Sequence, residues 1–246
     1  MTGIAVQLYT LRQQVADLGL ARVLERVAAI GYGGVELAGL GGLAPQEVRS
    51  IVADLGMVVS SAHVTLPVGA DAQAVLDEQE AVGNTVLIAG GGPADVSSVE
   101  VAHQLADRFN EAAAHAAERG MTVGYHNHWW ELDTPIDARR SPYELLLERL
   151  VPSVFMEVDI YWAQVGGCDP IQLVAALGPR ARYLHVKDGP IEPRTPMTAV
   201  GAGRMDIAGV LAAATYAEWH VVELDEFGGD MFDAVAESYQ WLADRA

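Results

Sequence analysis

Two of the seven histidines stand at 126 and 128 in the stretch GYHNHWWELD, residues 124 to 133, with Glu131 close behind. Imidazoles and a carboxylate at this spacing suit proton transfer near neutrality or the binding of a divalent cation. Residues of the same kind recur in other short apolar runs. Glu157 and Asp159 lie in VFMEVDI, His185, Lys187 and Asp188 in RYLHVKD, and Glu223, Asp225 and Glu226 in WHVVELDE. Glu36 in GGVEL and His63 in MVVSSAHV belong to the same set. A bare carboxylate in such a run costs roughly several kcal/mol to bury unless it is paired or bound to a cation. Carboxylates and imidazoles converging from separate runs are what a divalent ion needs, and mixed oxygen and nitrogen donors suit Mn, Mg, Co or Zn.

The elements that must position these residues alternate along the chain. Runs rich in β-branched and aromatic residues, read as strands, cover 4 to 9, 33 to 37, 57 to 64, 85 to 90, 121 to 128, 154 to 160, 182 to 188 and 219 to 226. Between them lie segments of helical spacing at 20 to 31, 45 to 56, 101 to 120, 141 to 151, 169 to 178 and 207 to 217, several of which stop at glycine. Strands separated by helices need crossovers and so pair in parallel, and eight such units close a (β/α)8 TIM barrel, an α/β fold. A doubly wound open sheet fits less well, because no G-x-G-x-x-G follows the first strand. One domain over residues 1 to 246 is expected. Nearly all the charged residues fall at the C-terminal ends of their strands, the end at which such barrels assemble active sites.

Side-chain parity along a strand narrows the choice. Glu157 shares a face with Asp159, His185 with Lys187, and Glu223 with Asp225. The residue nearer the strand end reaches the mouth more easily, which favours Asp159 over Glu157. Lysine is no metal ligand, so His185 takes that role and Lys187 is left for substrate.

The bulk composition excludes several classes. A net charge of −18 repels phosphate backbones and anionic membranes, so neither nucleic acid nor a membrane is an expected partner. The single cysteine, Cys168, excludes an internal disulfide framework and lacks any nucleophile signature. With no signal peptide pattern and no long apolar run, a cytoplasmic protein is expected, and a homo-oligomer is allowed. His103 and His115 fall inside a helix, away from the strand ends, and read as surface residues.

The sequence resembles the xylose isomerase-like superfamily of sugar phosphate isomerases and epimerases, which includes ketose 3-epimerases, inosose dehydratases and, more distantly, endonuclease IV-type repair enzymes. The carrying stretches run in order along the whole chain: VQLYTLR, GYGGVEL, SAHV, GYHNHWWE, EVDIYWA, YLHVKDG, GAGRMDI and VVELDE. The resemblance implies one Mn-type ion held by residues from strands 5 to 8, with Asp159, His185 and Glu223 as three ligands. At strand 5 the family's usual glutamate aligns with His126, so the first ligand is either His126 or Glu131 from the following loop.

Such an ion polarises a sugar carbonyl and stabilises an enediolate, and the adjacent C–H then becomes removable by a positioned base. His126, His128, Glu223 and Lys187 are the expected catalytic groups. Trp129 and Trp162 offer apolar faces to a sugar, alongside Trp130. His63, with Gln7, Tyr9 and Glu36, is placed to line the mouth, and Arg204 stands on a glycine-rich loop near the phosphate position of many barrels. The expected activity is isomerisation or epimerisation of a sugar or keto-sugar, and the alternative is a lyase or dehydratase acting on a keto-glycoside. A nuclease of the endonuclease IV type and an inactive binding subunit are the remaining readings.

Overall fold

The computed structural model describes residues 2 to 133, 135 to 137 and 139 to 245. The strands are β1 (Gly3–Gln7), β2 (Gly34–Leu37), β3 (Val58–His63), β4 (Val86–Gly90), β5 (Thr122–His126), β6 (Phe155–Asp159), β7 (Ala181–Val186) and β8 (Trp219–Val222). Each pairs in parallel with the next, and β8 returns to pair with β1, so the sheet closes as a (β/α)8 barrel. Strands covered on both faces need apolar or paired side chains at every position, and all five residues of β6 are buried.

Helices α1 (Arg12–Leu18), α2 (Leu20–Ile30), α3 (Pro45–Asp54), α4 (Ala72–Val82), α5 (Val99–Ala117), α6 (Pro142–Arg149), α7 (Ile160–Val165), α8 (Pro170–Leu177), α9 (Ile207–Ala213) and α10 (Met231–Ala243) surround the barrel. In α2 the buried residues Leu20, Val23, Leu24 and Val27 follow one helical face. The six helical segments expected from the sequence are present, and the structure adds α1, α4, α7 and α10. No helix among the described residues is long and apolar enough to cross a membrane.

Inside the barrel, the end away from the charged strand tips is plugged by Ala5, Ile88, Phe155, Tyr183 and Val221, with Trp219 against them. A Cβ added at Gly34 would lie 2.7 Å from the Trp219 ring, so only glycine leaves room for that plug. Tyr183 donates across the interior to the carbonyl of Ser60, 2.9 Å away. Above this apolar layer the inward-facing residues become polar. Two register shifts mark the change, between Val35 and Glu36 where β2 meets β3, and between Met156 and Glu157 where β6 meets β7. Such irregularities re-aim side chains within a sheet.

Candidate active site

Asp159 closes β6 and caps α7, its Oδ1 accepting from the Trp162 amide at 2.8 Å. The strand end beside it is fixed by Asn127. That side chain accepts from the Asp159 amide at 3.0 Å and donates to the Asp159 carbonyl at 3.2 Å. Thus the asparagine of YHNH ties β5 to β6. β5 ends at His126, two residues earlier than its expected limit, and His128 begins the loop beyond it.

Three side chains from β5, β6 and β7 meet at this level with that of Glu223, the residue after β8. His126, Asp159, His185 and Glu223 are all buried, and each offers one ligand atom within 4.8 Å of the others. His126 Nε2 is 4.0 Å from Asp159 Oδ2, and His185 Nδ1 is 2.8 Å from Glu223 Oε2. A second group, lower in the barrel, combines His63, His126, Glu157 and His185. Glu157 Oε1 is buried without a hydrogen-bond partner, whereas Asp159 Oδ2 is met by the Lys187 ammonium 3.1 Å away. Such oxygens are costly to bury unless a positive charge meets them. Two imidazoles with two carboxylates suit a borderline divalent ion, and the residues fit one.

Lys187 stands among the same carboxylates, its Nζ 2.7 Å from Glu223, 3.0 Å from Asp225 and 3.1 Å from Asp159. Burial by itself would lower its pKa, but these three carboxylates hold it well above the usual lysine range. Burial pushes Glu223 up, yet Lys187 and His185 hold it well below the usual carboxylate range, so it is ionised. For His126, burial is the main cause of a pKa well below the ordinary imidazole value, reinforced by the charges of His185, His128, His63 and Lys187. His126 is therefore neutral at physiological pH. His185 resists burial through Glu157, Glu36 and Glu223, which raise its pKa. His63, likewise opposed by burial, is pushed up to about 10, chiefly by Glu36 and by its bond to Glu157.

Above these residues opens a cavity of about 650 Å³. His63, His126, Lys187, Glu223 and Asp225 form its polar side, and Trp129, Trp130 and Trp162 its aromatic wall. Trp129 and Trp162 pack with centroids 4.6 Å apart, and Trp130 stacks on His128 at 4.1 Å. His128 thus lines the cavity from an aromatic seat.

Glu131 lies elsewhere. Its loop does fold back, but the carboxylate accepts from the Tyr125 hydroxyl and the His128 amide, each at 2.9 Å. It belongs to neither four-residue group among the described residues. Between the two alternatives at strand 5, the geometry brings His126 to Asp159, His185 and Glu223, and leaves Glu131 beneath His128.

Arg204 is also outside the cavity: it is exposed, and its Nη1 donates to the Pro190 carbonyl at 3.3 Å. The GAGRMDI loop has another task. It wraps the buried Asp188 carboxylate, which accepts from the amides of Gly189, Gly201, Gly203 and Met205 at 2.8 to 3.1 Å. The segment so closed brings Arg194, Thr195 and Met197 to the cavity, with Arg194 at a φ of 61°. A non-glycine residue in that conformation often marks a functional strain. Sequence reasoning passed over Arg194, Asn127 and the depth of Glu36 and Glu157. Parity did point Glu157 inward, and that was the available signal. His115 bonds the Pro67 carbonyl at 2.9 Å, and neither His103 nor Cys168 lines the cavity.

A profile of the xylose isomerase-like TIM barrel matches residues 24 to 245. The chain belongs to this family. Among solved structures, this xylose isomerase-like barrel is similar to a sugar phosphate isomerase/epimerase from Parabacteroides distasonis, with 23% identity and a TM-score of 0.81 over 98% of this chain and 94% of that one. It is also similar to a probable 3-DHS dehydratase from Bacillus anthracis, at 14% identity and a TM-score of 0.77 over 100% of both chains. A D-allulose 3-epimerase from Methylomonas sp. aligns at 14% identity and a TM-score of 0.74, over 100% of this chain and 98% of that one. At these identities the likeness is one of fold. No curated protein matches the sequence.

Proposed function

We propose that this xylose isomerase-like barrel is a divalent-metal-dependent enzyme that isomerises or epimerises a keto-sugar through an enediolate. The observation that carries this reading is the convergence of His126, Asp159, His185 and Glu223 beside a cavity with an aromatic wall. These four residues would hold the ion, Mn or a close relative such as Co or Zn, with Mg less suited to two nitrogen donors. When bound, it supplies Lewis-acid polarisation of the substrate carbonyl.

The chain's own residues do the rest. Trp129 and Trp162 present flat apolar faces to the C–H surface of a sugar, and His63 bounds the polar side. Lys187 keeps its ammonium in the site and faces negative charge that grows on a substrate oxygen. Glu223 is held ionised at the cavity edge and takes the proton next to the carbonyl. His128 returns a proton from the aromatic side. Its backbone amide is anchored by Glu131, which keeps the ring against Trp130.

A second reading is elimination of a β-substituent from a keto-glycoside. What favours it is the cavity, whose 650 Å³ sits in the range of drug-sized ligands and leaves room beyond one sugar ring. Both readings begin with loss of the same proton. Incubating the metal-loaded protein with a panel of keto-sugars in deuterated water tests them together. Exchange without a new double bond supports the isomerase or epimerase, and release of an aglycone supports the lyase. Nicking of abasic DNA, or no exchange with any substrate, would sink both.

A further inference from the structure

Glu36 and Glu157 are fully buried one layer beneath the proposed ion site, and the mechanism above uses neither. Glu157 Oε2 lies 3.1 Å from His126 Nδ1, and Glu36 Oε1 lies 2.6 Å from His185 Nε2. In each imidazole this is the nitrogen opposite the one turned to Asp159 or Glu223, which are His126 Nε2 and His185 Nδ1. We propose, resting on the metal reading above, that Glu157 and Glu36 are positioning residues that fix the tautomers of His126 and His185. Glu157 keeps the proton of His126 on Nδ1, and Glu36 keeps that of His185 on Nε2. Once an ion takes the place of the proton that His185 Nδ1 shares with Glu223 Oε2, the lone pairs of His126 Nε2 and His185 Nδ1 would be directed at one point.

Three observations support this assignment. First, Glu36 is itself held from behind: Gln7 Nε2 donates to Oε1 at 2.6 Å and Ser61 Oγ to Oε2 at 2.5 Å. Its remaining capacity is turned to imidazoles. Second, the two register shifts in the barrel fall beside Glu36 and Glu157, so the sheet departs from regular pairing where these carboxylates enter. Third, His63 Nε2 lies 2.9 Å from Glu157 and 3.1 Å from Glu36, which joins the two supports into one layer. Two carboxylates this deep weaken the fold unless something is gained from them. Orienting a ligand imidazole is such a gain, since carboxylates behind metal-bound histidines raise ligand basicity and fix ring orientation.

The test measures ion binding rather than turnover. The full chain, stripped of metal, is titrated with Co²⁺ and followed by its visible absorption, in the wild type and in Glu36→Gln and Glu157→Gln. The expected result is a dissociation constant raised about 10- to 100-fold in each variant, with the same absorption band shape and no loss of melting temperature in the stripped protein. Glu157→Asp, which keeps the charge but withdraws it, should weaken binding in the same direction and serves if the glutamine variant does not fold. Unchanged dissociation constants in the variants would overturn the positioning role alone. A changed band shape in Glu157→Gln would overturn it too, by making Glu157 a ligand in the lower group. A wild type that takes up no Co²⁺ would overturn the metal reading and this role with it.

Discussion

Lys187 Nζ stands between Glu223 Oε2 and Asp159 Oδ2, 2.7 and 3.1 Å away, in the midst of the residues that would hold an ion. Removing it leaves buried carboxylates without their cation, a change that costs about 3–5 kcal/mol when one partner of a buried pair is lost. Lys187→Met should therefore melt far below the wild type in the presence of a chelator. Added Mn²⁺ should restore more stability to the variant than to the wild type, because the ion binds only the folded chain. Equal melting of the two proteins under chelation would show that Lys187 does not balance this cluster.

His126 and Glu131 separate cleanly by experiment. His126→Ala should weaken ion binding by at least about 100-fold, the upper end of what losing a support behind a ligand costs. Glu131→Gln should leave ion affinity within about threefold of the wild type, yet lower turnover by about 10-fold through the loosened His128, within the share ascribed to positioned acid–base groups. Equilibrium dialysis with metal quantification reads the first effect. The reverse pattern would return Glu131 to the ion.

The loop that wraps Asp188 gives a third expectation. A Cβ on Gly203 would fall on the Asp188 carboxylate and the Gly189 amide, so the loop must shift to accept it. Gly203→Ala should destabilise the protein by about 1–3 kcal/mol, the cost of overpacking, and raise KM as the segment carrying Arg194, Thr195 and Met197 moves. Arg204→Ala, on the same loop but outside the cavity, should leave KM unchanged. Denaturant melts and initial rates check both variants.

His220 provides a pH signature away from the site. It lies on β8 between inward-facing Trp219 and Val221, and burial lowers its pKa to about 4. The unfolded chain takes up a proton near pH 6.5 and the folded one only near 4, so stability is complete above 6.5 and falls as the pH drops through that window. The loss from this group reaches about 3 kcal/mol at most. His220→Gln should flatten the stability curve between pH 6.5 and 4 in urea titrations. Parallel curves for variant and wild type would exclude His220 as a source of acid sensitivity.

The eight strands were legible because each is a compact β-branched run bounded by helical spacing, and their parity correctly aimed Asp159, His185, Lys187 and Glu223 into the barrel. Strand ends were less legible. β5 stops at His126 because Asn127 spends its side chain on the backbone of Asp159, a tertiary bond that no local pattern announces. The expected sixth strand runs one residue too far, to Ile160, and the short helix α7 that begins there is absent from the sequence reading, because it is the Asp159 cap that turns the chain. Choosing Asp159 over Glu157 by distance to the mouth hid the layer beneath, where Glu157 lies buried against His63, His126 and His185. Arg204 was expected to bind substrate because its glycine-rich loop lies near the phosphate position of many barrels, whereas those glycines serve the close wrap around Asp188.

Proton exchange tests the central claim most directly. With a keto-sugar substrate in deuterated water, the metal-loaded wild type should exchange the hydrogen next to the carbonyl, as followed by proton NMR. Chelation should abolish that exchange, renewed Mn²⁺ should restore it, and Glu223→Gln should slow it by about 100-fold or more, the contribution of a positioned base. Exchange that persists undiminished after complete removal of metal would contradict the account.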